Sequence, residues 1–108
     1  MSVIEKEKVC ELSELPPYQG RTVIHDGEQV ALFNVPGIGI YAVQHWDPIG
    51  KAFVISRGIV GDINGHLCVA SPLYKQHFKL DSGECVEYPE VSLKTWKVSV
   101  ENSDIILS

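Results

Sequence analysis

The sequence predicts an all-β fold, an antiparallel β-sandwich or barrel formed by a single domain over residues 1–108. Short runs of strand-favouring residues are separated by Asp-Gly and Asn-Gly pairs, which supply the positive φ angles of two-residue hairpin turns. Apolar and polar residues alternate along the last long run. No window places apolar residues at i, i+3, i+4 and i+7 over three turns, so no long amphipathic helix is expected.

Four hairpins are expected, each centred on residues that tolerate a tight turn. The turns are Asp26-Gly27, Asn64-Gly65, Asp81-Ser82-Gly83 and Asn102-Ser103. The strands that they join are Arg21–His25 with Glu28–Asn34, Ile59–Ile63 with His66–Ala70, His77–Leu80 with Glu84–Val86, and Leu93–Val100 with Asp104–Leu107.

The remaining elements are short. The tight connection Pro36-Gly37-Ile38-Gly39 leads into a strand over Ile40–Gln44, and a single helical turn near Ser13 is stopped by Pro16 and Pro17. In the last strand, Trp96, Val98 and Val100 are expected on one face and Lys97, Ser99 and Glu101 on the other. About eight or nine strands in two stacked sheets are therefore predicted.

Composition excludes several classes of function. With 44% hydrophobic and 21% charged residues, the chain can form one folded core, and its net charge of −5 is the wrong sign for binding nucleic acid. No run of about 20 apolar residues predicts a membrane span, and no secretion signal is visible, so a cytoplasmic location is expected. Cys10, Cys68 and Cys85 lack CxxC spacing and are expected to be reduced thiols.

Two long connections, His45–Ser56 and Ser71–Gln76, are the candidate functional loops, because loops on a β scaffold commonly carry the function. They lie within the segments 40–48 (IYAVQHWDP), 56–61 (SRGIVG) and 66–85 (HLCVASPLYKQHFKLDSGEC). These segments resemble a Rieske-type [2Fe–2S] domain, whose loops read Cys-x-His and Cys-Pro-x-His-x-x-x-Phe-x-Leu-x-x-Gly-x-Cys. The matching frame residues are Pro72, Phe78, Leu80, Gly83 and Cys85.

The cluster ligands of that family do not match. Two Cys thiolates and two His nitrogens hold a Rieske cluster, whereas the corresponding positions here carry His45, Asp47, Ser71 and Tyr74. A serine hydroxyl and a tyrosine phenol stay protonated near neutral pH and are poor replacements for thiolates. The chain is therefore expected to keep the fold, to bind no cofactor or metal and to have no catalytic residue. The absence of a Gly-rich loop before a helix argues against NADH or FAD binding by this chain.

A narrower resemblance is carried by Asp47-Pro48, Ser56-Arg57-Gly58 and residues 70–78 (ASPLYKQHF). These segments are similar to those of the small subunits of cytoplasmic NADH-dependent assimilatory nitrite reductases. The resemblance implies an accessory subunit of an oxidoreductase complex. Its large-subunit partner would carry FAD, an iron–sulfur cluster and sirohaem and reduce nitrite to ammonium. Two alternatives stay open, a Rieske-type ferredoxin that serves an oxygenase and a stand-alone binding module without a redox role.

The loop ends are the expected contact with the large subunit, because aromatic and arginine side chains often anchor protein interfaces. The residues expected there are His45, Trp46, Asp47, Arg57, Leu73, Tyr74 and Lys75, with Trp46 or Tyr74 as the anchor. Two other roles remain open: the aromatic rings could fill the vacant cluster cavity, and Asp47 could cap backbone N–H groups. Lys75, His77 and Lys79 are expected on one basic face, either solvated or facing an acidic partner.

Overall fold

The computed structural model describes residues 6–108 and is built from antiparallel β-strands. The strands are β1 (Glu7–Glu11), β2 (Gly20–His25), β3 (Glu28–Val35), β4 (Gly39–Gln44), β5 (Trp46–Asp47), β6 (Ala52–Phe53), β7 (Ile59–Ile63), β8 (His66–Ala70), β9 (His77–Lys79), β10 (Thr95–Trp96), β11 (Val98–Glu101) and β12 (Asp104–Leu107). Two 3₁₀ turns, Leu12–Glu14 and Ile55–Arg57, interrupt them. No helix in this part of the chain is long and apolar enough to cross a membrane. The all-β prediction is confirmed.

The strands form four sheets, where two were expected. Their orders are β10-β4-β3-β2, β1-β12-β11, β7-β8-β9 and the two-stranded β5-β6. All strand pairings within these sheets are antiparallel. The small β5-β6 hairpin lies inside the first of the two predicted functional loops, so that loop is more regular than its sequence indicates.

Three of the predicted hairpin turns have the backbone that their residues favour. Both central residues have positive φ in each of them: 50° and 78° at Asp26-Gly27, 51° and 84° at Asn64-Gly65, and 52° and 71° at Asn102-Ser103. Such turns match the right-handed twist of the flanking strands and fix their register. His25 consequently faces Glu28, and Ile63 faces His66.

The strand predicted over Leu93–Val100 is wrong as one continuous element. It breaks at Lys97, with Thr95–Trp96 pairing with β4 and Val98–Glu101 pairing with β12. Lys97 exchanges two backbone hydrogen bonds with Ser108, at 3.2 and 3.1 Å, as the chain passes from one sheet to another. Because the strand changes sheets, its alternation does not keep one face buried, and Val100 is exposed.

The hairpin predicted at Asp81-Ser82-Gly83 does not have a regular second strand. Residues 84–86 form only isolated bridges, Phe78 with Cys85 and Glu84 with Ser92. Gly83 has a φ of +82°, and a Cβ there would lie 2.0 Å from the carbonyl oxygen of Leu93. The chain therefore packs too closely against residues 91–93 to continue as a regular strand.

The core occupies both faces of β3, which is one of the two inner strands of the four-stranded sheet. Ala31, Phe33 and Val35 point into one cluster with Val69 of β8, Phe78 of β9 and Ile55. Val30 and Leu32 point into a second cluster with Ile105 and Leu107 of β12. The four-stranded sheet is thus a middle layer, with the β7-β8-β9 sheet and the loops on one side and the β1-β12-β11 sheet on the other. Ile55 anchors the first loop to the core.

Candidate functional site

The candidate site is formed where the first loop (residues 45–56) meets the second loop (residues 71–76). In the first loop, Trp46–Asp47 pairs with Ala52–Phe53, and Lys51 N–H donates to the Asp47 carbonyl at 2.7 Å. In the second, Ser71 N–H donates to the Gln76 carbonyl at 2.9 Å, and Lys75 N–H donates to the Ser71 carbonyl at 3.0 Å. Each loop is therefore held in shape by its own backbone hydrogen bonds, independently of its contact with the other loop.

Asp47 is the centre of the junction and is 0% exposed. Its Oδ1 accepts hydrogen bonds from the N–H groups of Ile49, at 2.8 Å, and Gly50, at 2.9 Å. Its Oδ2 accepts the hydroxyl hydrogen of Ser71 at 2.5 Å. A buried carboxylate is stable only when its oxygens have partners, and here both do. Asp47 caps the backbone, the role that an Asp-Pro turn allows, and it also joins the two loops.

The loops approach each other closely at Gly50. A Cβ at this position would lie 2.5 Å from Cδ1 of Leu73 and 2.9 Å from Oδ2 of Asp47. A larger residue would therefore displace the Leu73 side chain or the Asp47 carboxylate. The glycine allows the Asp47–Ser71 hydrogen bond to form.

His45 is buried beneath the loops. Its Nδ1 accepts a hydrogen bond from the Ser56 N–H at 3.1 Å, which requires the ring proton to be on Nε2. Its carbonyl oxygen accepts from the N–H groups of Val54 and Ile55. Burial, assisted by the nearby positive charge of Arg57, lowers the pKa of His45 below its ordinary value of 6.5. The imidazole is therefore neutral near neutral pH and holds the end of the first loop in place.

Tyr74 differs from His45, Asp47 and Ser71, which are buried. It points away from the junction and is 66% exposed. The structure thus brings together Asp47 and Ser71 and buries His45, while Tyr74 stands at the surface. Tyr74 does not fill the cluster cavity. Trp46 is at the surface as well, 37% exposed, with its ring packed edge-to-face on Phe53 at a centroid distance of 4.8 Å.

Seven exposed side chains lie on or beside the two loops, and we call this set of residues the tip. Its members are Trp46, Phe53, Arg57, Ile59, Leu73, Tyr74 and Lys75. Five of them were expected there from the sequence. Phe53 and Ile59 were missed, because a large apolar residue in a loop or at the first position of a strand is usually buried, and their local pattern gives no contrary signal.

The basic face predicted for Lys75, His77 and Lys79 is largely neutralised. Nδ1 of His77 lies 2.7 Å from Oε2 of Glu87, and Nζ of Lys79 lies 3.0 Å from Oε1 of Glu84. Burial raises the pKa of Glu87, but hydrogen bonds from the backbone and ring of His77 outweigh it and hold that pKa below its ordinary value. Lys75 precedes β9, in a turn with φ of 60°, so strand alternation does not place it with the other two.

Comparison with known proteins identifies this architecture. A model of the Rieske-like [2Fe-2S] domain matches residues 6–108. The chain belongs to the Rieske-like domain family. Its relatives include the nitrite reductase (NADH) small subunit of Salmonella typhimurium, which is 34% identical over 102 residues covering 94% of each chain.

Solved structures of this family agree closely with the fold. An NADH-dependent nitrite reductase small subunit from Mycobacterium tuberculosis is 38% identical and superposes with a TM-score of 0.92, covering 98% of this chain and 96% of that one. A small subunit of an NADPH nitrite reductase is 58% identical with a TM-score of 0.93, covering 97% and 99%. The Rieske-like arrangement expected from the loop motifs is therefore confirmed.

Two further relatives show how the same domain is used elsewhere. A nitrite reductase NAD(P)H large subunit from Klebsiella oxytoca is 35% identical over 99 residues, which cover 92% of this chain and 10% of that protein. In that protein the domain is one part of a much longer polypeptide. A biphenyl dioxygenase ferredoxin subunit from Pseudomonas is 30% identical over 101 residues, which cover 93% of this chain and 88% of that one.

The residues at the junction do not fit the [2Fe–2S] cluster for which the Rieske-like family is named. The acceptor atoms of Asp47 and Nδ1 of His45 already bind protein hydrogens, and Ser71 donates to Asp47. The three cysteines are buried, and burial raises the pKa of each, which keeps them protonated. Within residues 6–108 no three His, Cys, Asp or Glu side chains are grouped as metal ligands.

Proposed function

We propose that this chain is the small subunit of a cytoplasmic NADH-dependent nitrite reductase and binds the large subunit of that enzyme. The observation that carries the proposal is the Klebsiella large subunit, in which a homologous domain is part of the large-subunit polypeptide. A domain that is fused to a protein in one organism and separate in another commonly contacts that protein in both. The single domain over residues 1–108 would thus be held on the large subunit by noncovalent contacts.

The proposal assigns the redox chemistry to the partner. FAD, an iron–sulfur cluster and sirohaem would be carried by the large subunit, which would pass electrons from NADH to nitrite and form ammonium. This chain would contribute structure, because its junction residues are committed to hydrogen bonds with one another. Three buried, unpaired cysteines are consistent with a reducing cytoplasm.

The tip is the proposed contact surface. Trp46 and Tyr74 are large, rigid and exposed, as interface anchors commonly are, and Arg57, Leu73 and Lys75 are exposed on or beside the same two loops. His45 and Asp47 were expected at the contact too, but both are buried, so they would support the tip from below. The Asp47–Ser71 hydrogen bond would limit the entropy lost by the loops on binding, because it orders them beforehand.

The experiment is reconstitution of the two purified subunits. We expect the chain to elute with the large subunit in gel filtration and to raise or stabilise its NADH-dependent nitrite reduction. The chain alone should show no such activity. Failure of the two subunits to associate, in the presence of NADH or nitrite or without them, would refute the proposal and favour a stand-alone module.

A further inference from the structure

A groove runs along the tip between the 3₁₀ turn Ile55–Arg57 and the second loop. Its volume is about 390 Å³. Its lining includes Arg57, Gly58, Ile59, Pro72, Lys75 and His77. Because a Cβ at Gly58 would lie 2.5 Å from the Ala70 carbonyl oxygen, the wall beside that glycine is backbone in close contact. The base of the groove at this point is therefore formed by closely packed backbone.

One side of the groove is apolar. Ile59 is 77% exposed, the largest exposed fraction among the large apolar side chains of the described chain, and Pro72 is also exposed. An exposed apolar residue is ordinary when it stands alone. Here Ile59 borders a concave surface, where an apolar side chain of a partner can cover it. Removing both apolar side chains from water would favour binding.

The rim of the groove carries unpaired positive charge. Across residues 6–108, no carboxylate oxygen lies within 4.0 Å of the Arg57 guanidinium or of Lys75 Nζ. The neighbouring His77 and Lys79 are both paired with glutamates. In a chain of net charge −5, this rim is a local positive site on an acidic protein.

We propose that this groove binds an acidic–apolar segment of the large subunit. One apolar side chain of that segment would lie against Ile59 and Pro72, and its neighbouring carboxylates would pair with Arg57 and Lys75. A planar guanidinium suits a carboxylate because it can donate two parallel hydrogen bonds. A small inorganic anion would use the charges but leave the apolar wall uncovered. This inference rests on the proposed function, which supplies the partner.

The first test is charge reversal. The double variant Arg57→Glu/Lys75→Glu should bind the purified large subunit at least about tenfold more weakly, because it places like charges opposite the partner's carboxylates. Its binding should also lose most of the salt dependence seen with the natural chain. The matched control is Lys6→Glu/Lys97→Glu, which changes the net charge equally at exposed lysines outside the groove and should bind normally. Thermal unfolding checks that both variants fold.

The second test maps the contact directly. A carbodiimide joins a lysine amine to a carboxylate only when the two are in contact, so it should link Lys75 to an Asp or Glu of the large subunit. Mass spectrometry identifies that residue, and replacing it with lysine should restore binding to the charge-reversed double variant. Lys97 should form no such link.

The outcomes separate this inference from the proposed function. If the charge-reversed variant binds like its control and Lys75 is not linked, the groove does not receive an acidic segment. Normal binding by that variant together with weak binding by Trp46→Ala would leave the large-subunit proposal standing. If the natural chain itself does not bind the large subunit, both are overturned.

Discussion

The hydroxyl of Ser71 donates to the buried carboxylate of Asp47 across 24 residues of sequence, at 2.5 Å. The motif resemblance implies that Ser71 and Asp47 occupy the positions of a cysteine and a histidine that bind the cluster in Rieske domains. Here a side-chain hydrogen bond joins the same two loops that a metal centre would join. This bond, the backbone caps of Asp47 and the close approach at Gly50 hold the two loops together.

Removing either partner of this hydrogen bond should destabilise the protein. We expect Ser71→Ala to lower the free energy of unfolding by about 1–3 kcal/mol, since it leaves one buried carboxylate oxygen without a donor. Asp47→Ala should cost about 3 kcal/mol or more, because two N–H groups and the hydroxyl lose their acceptor. Urea denaturation measures both changes. Ser99→Ala, at an exposed position, is the control, and an equally small effect of all three would contradict this account.

Stability should depend on pH through His45. Its pKa is below 6.5 in the folded protein, so between pH 6.5 and the folded pKa the unfolded chain binds more protons. His45 should therefore reduce stability as the pH falls below about 6.5, with no further change below the folded pKa. Comparing urea denaturation of the natural chain and His45→Gln across this range isolates the effect, because other titrating groups are common to both. Parallel pH profiles would show that His45 does not contribute.

The thiols should be reduced but slow to react. Cys10, Cys68 and Cys85 are all buried, and burial raises the pKa of each above its ordinary value. A thiol reagent should count three thiols in denaturant and modify the native protein only slowly. Rapid modification of the native chain, or fewer than three thiols in denaturant, would disagree with this arrangement.

Purified protein should contain no stoichiometric iron. His45, Asp47 and Ser71 hydrogen-bond to the protein and Tyr74 is exposed to solvent, and none of these residues offers a thiolate. We expect a colourless preparation with less than one iron per chain, whether it is made in air or without oxygen. A cluster-bearing ferredoxin of the same fold serves as the positive control. Stoichiometric iron with acid-labile sulfide would support the ferredoxin alternative.

The aromatic residues of the tip should anchor the large subunit. Truncating an interface anchor typically costs about 2–4 kcal/mol of binding, or roughly 30- to 1000-fold in affinity. We expect a loss in this range for Trp46→Ala or Tyr74→Ala, measured by calorimetric titration with the large subunit. Glu101→Ala, at an exposed position in β11 outside the tip, is the control and should bind normally. Normal binding by both aromatic variants, with loss in the control, would place the contact elsewhere.

The sequence predicted the features that depend on residue type and short range. Asp26-Gly27, Asn64-Gly65 and Asn102-Ser103 form their turns because these residues tolerate positive φ whatever surrounds them. The lack of thiolate ligands could likewise be recognised from residue identity, because a serine or an aspartate cannot act as a thiolate in any fold. Phe78 and Leu80, which belong to the motif that predicted the Rieske-like fold, are both buried in the core.

Only the tertiary structure decided which loop residues are buried, which are exposed and which meet. Nothing near Asp47 in sequence indicates that its partner is Ser71, because their contact depends on how two separate loops pack over the same sheet. The break at Lys97 and the exposure of Ile59 depend in the same way on neighbouring strands. Local pattern fixes the turns and the available chemistry, whereas burial is set by the whole packed chain, and burial distinguishes the residues that support the tip from those that form its surface.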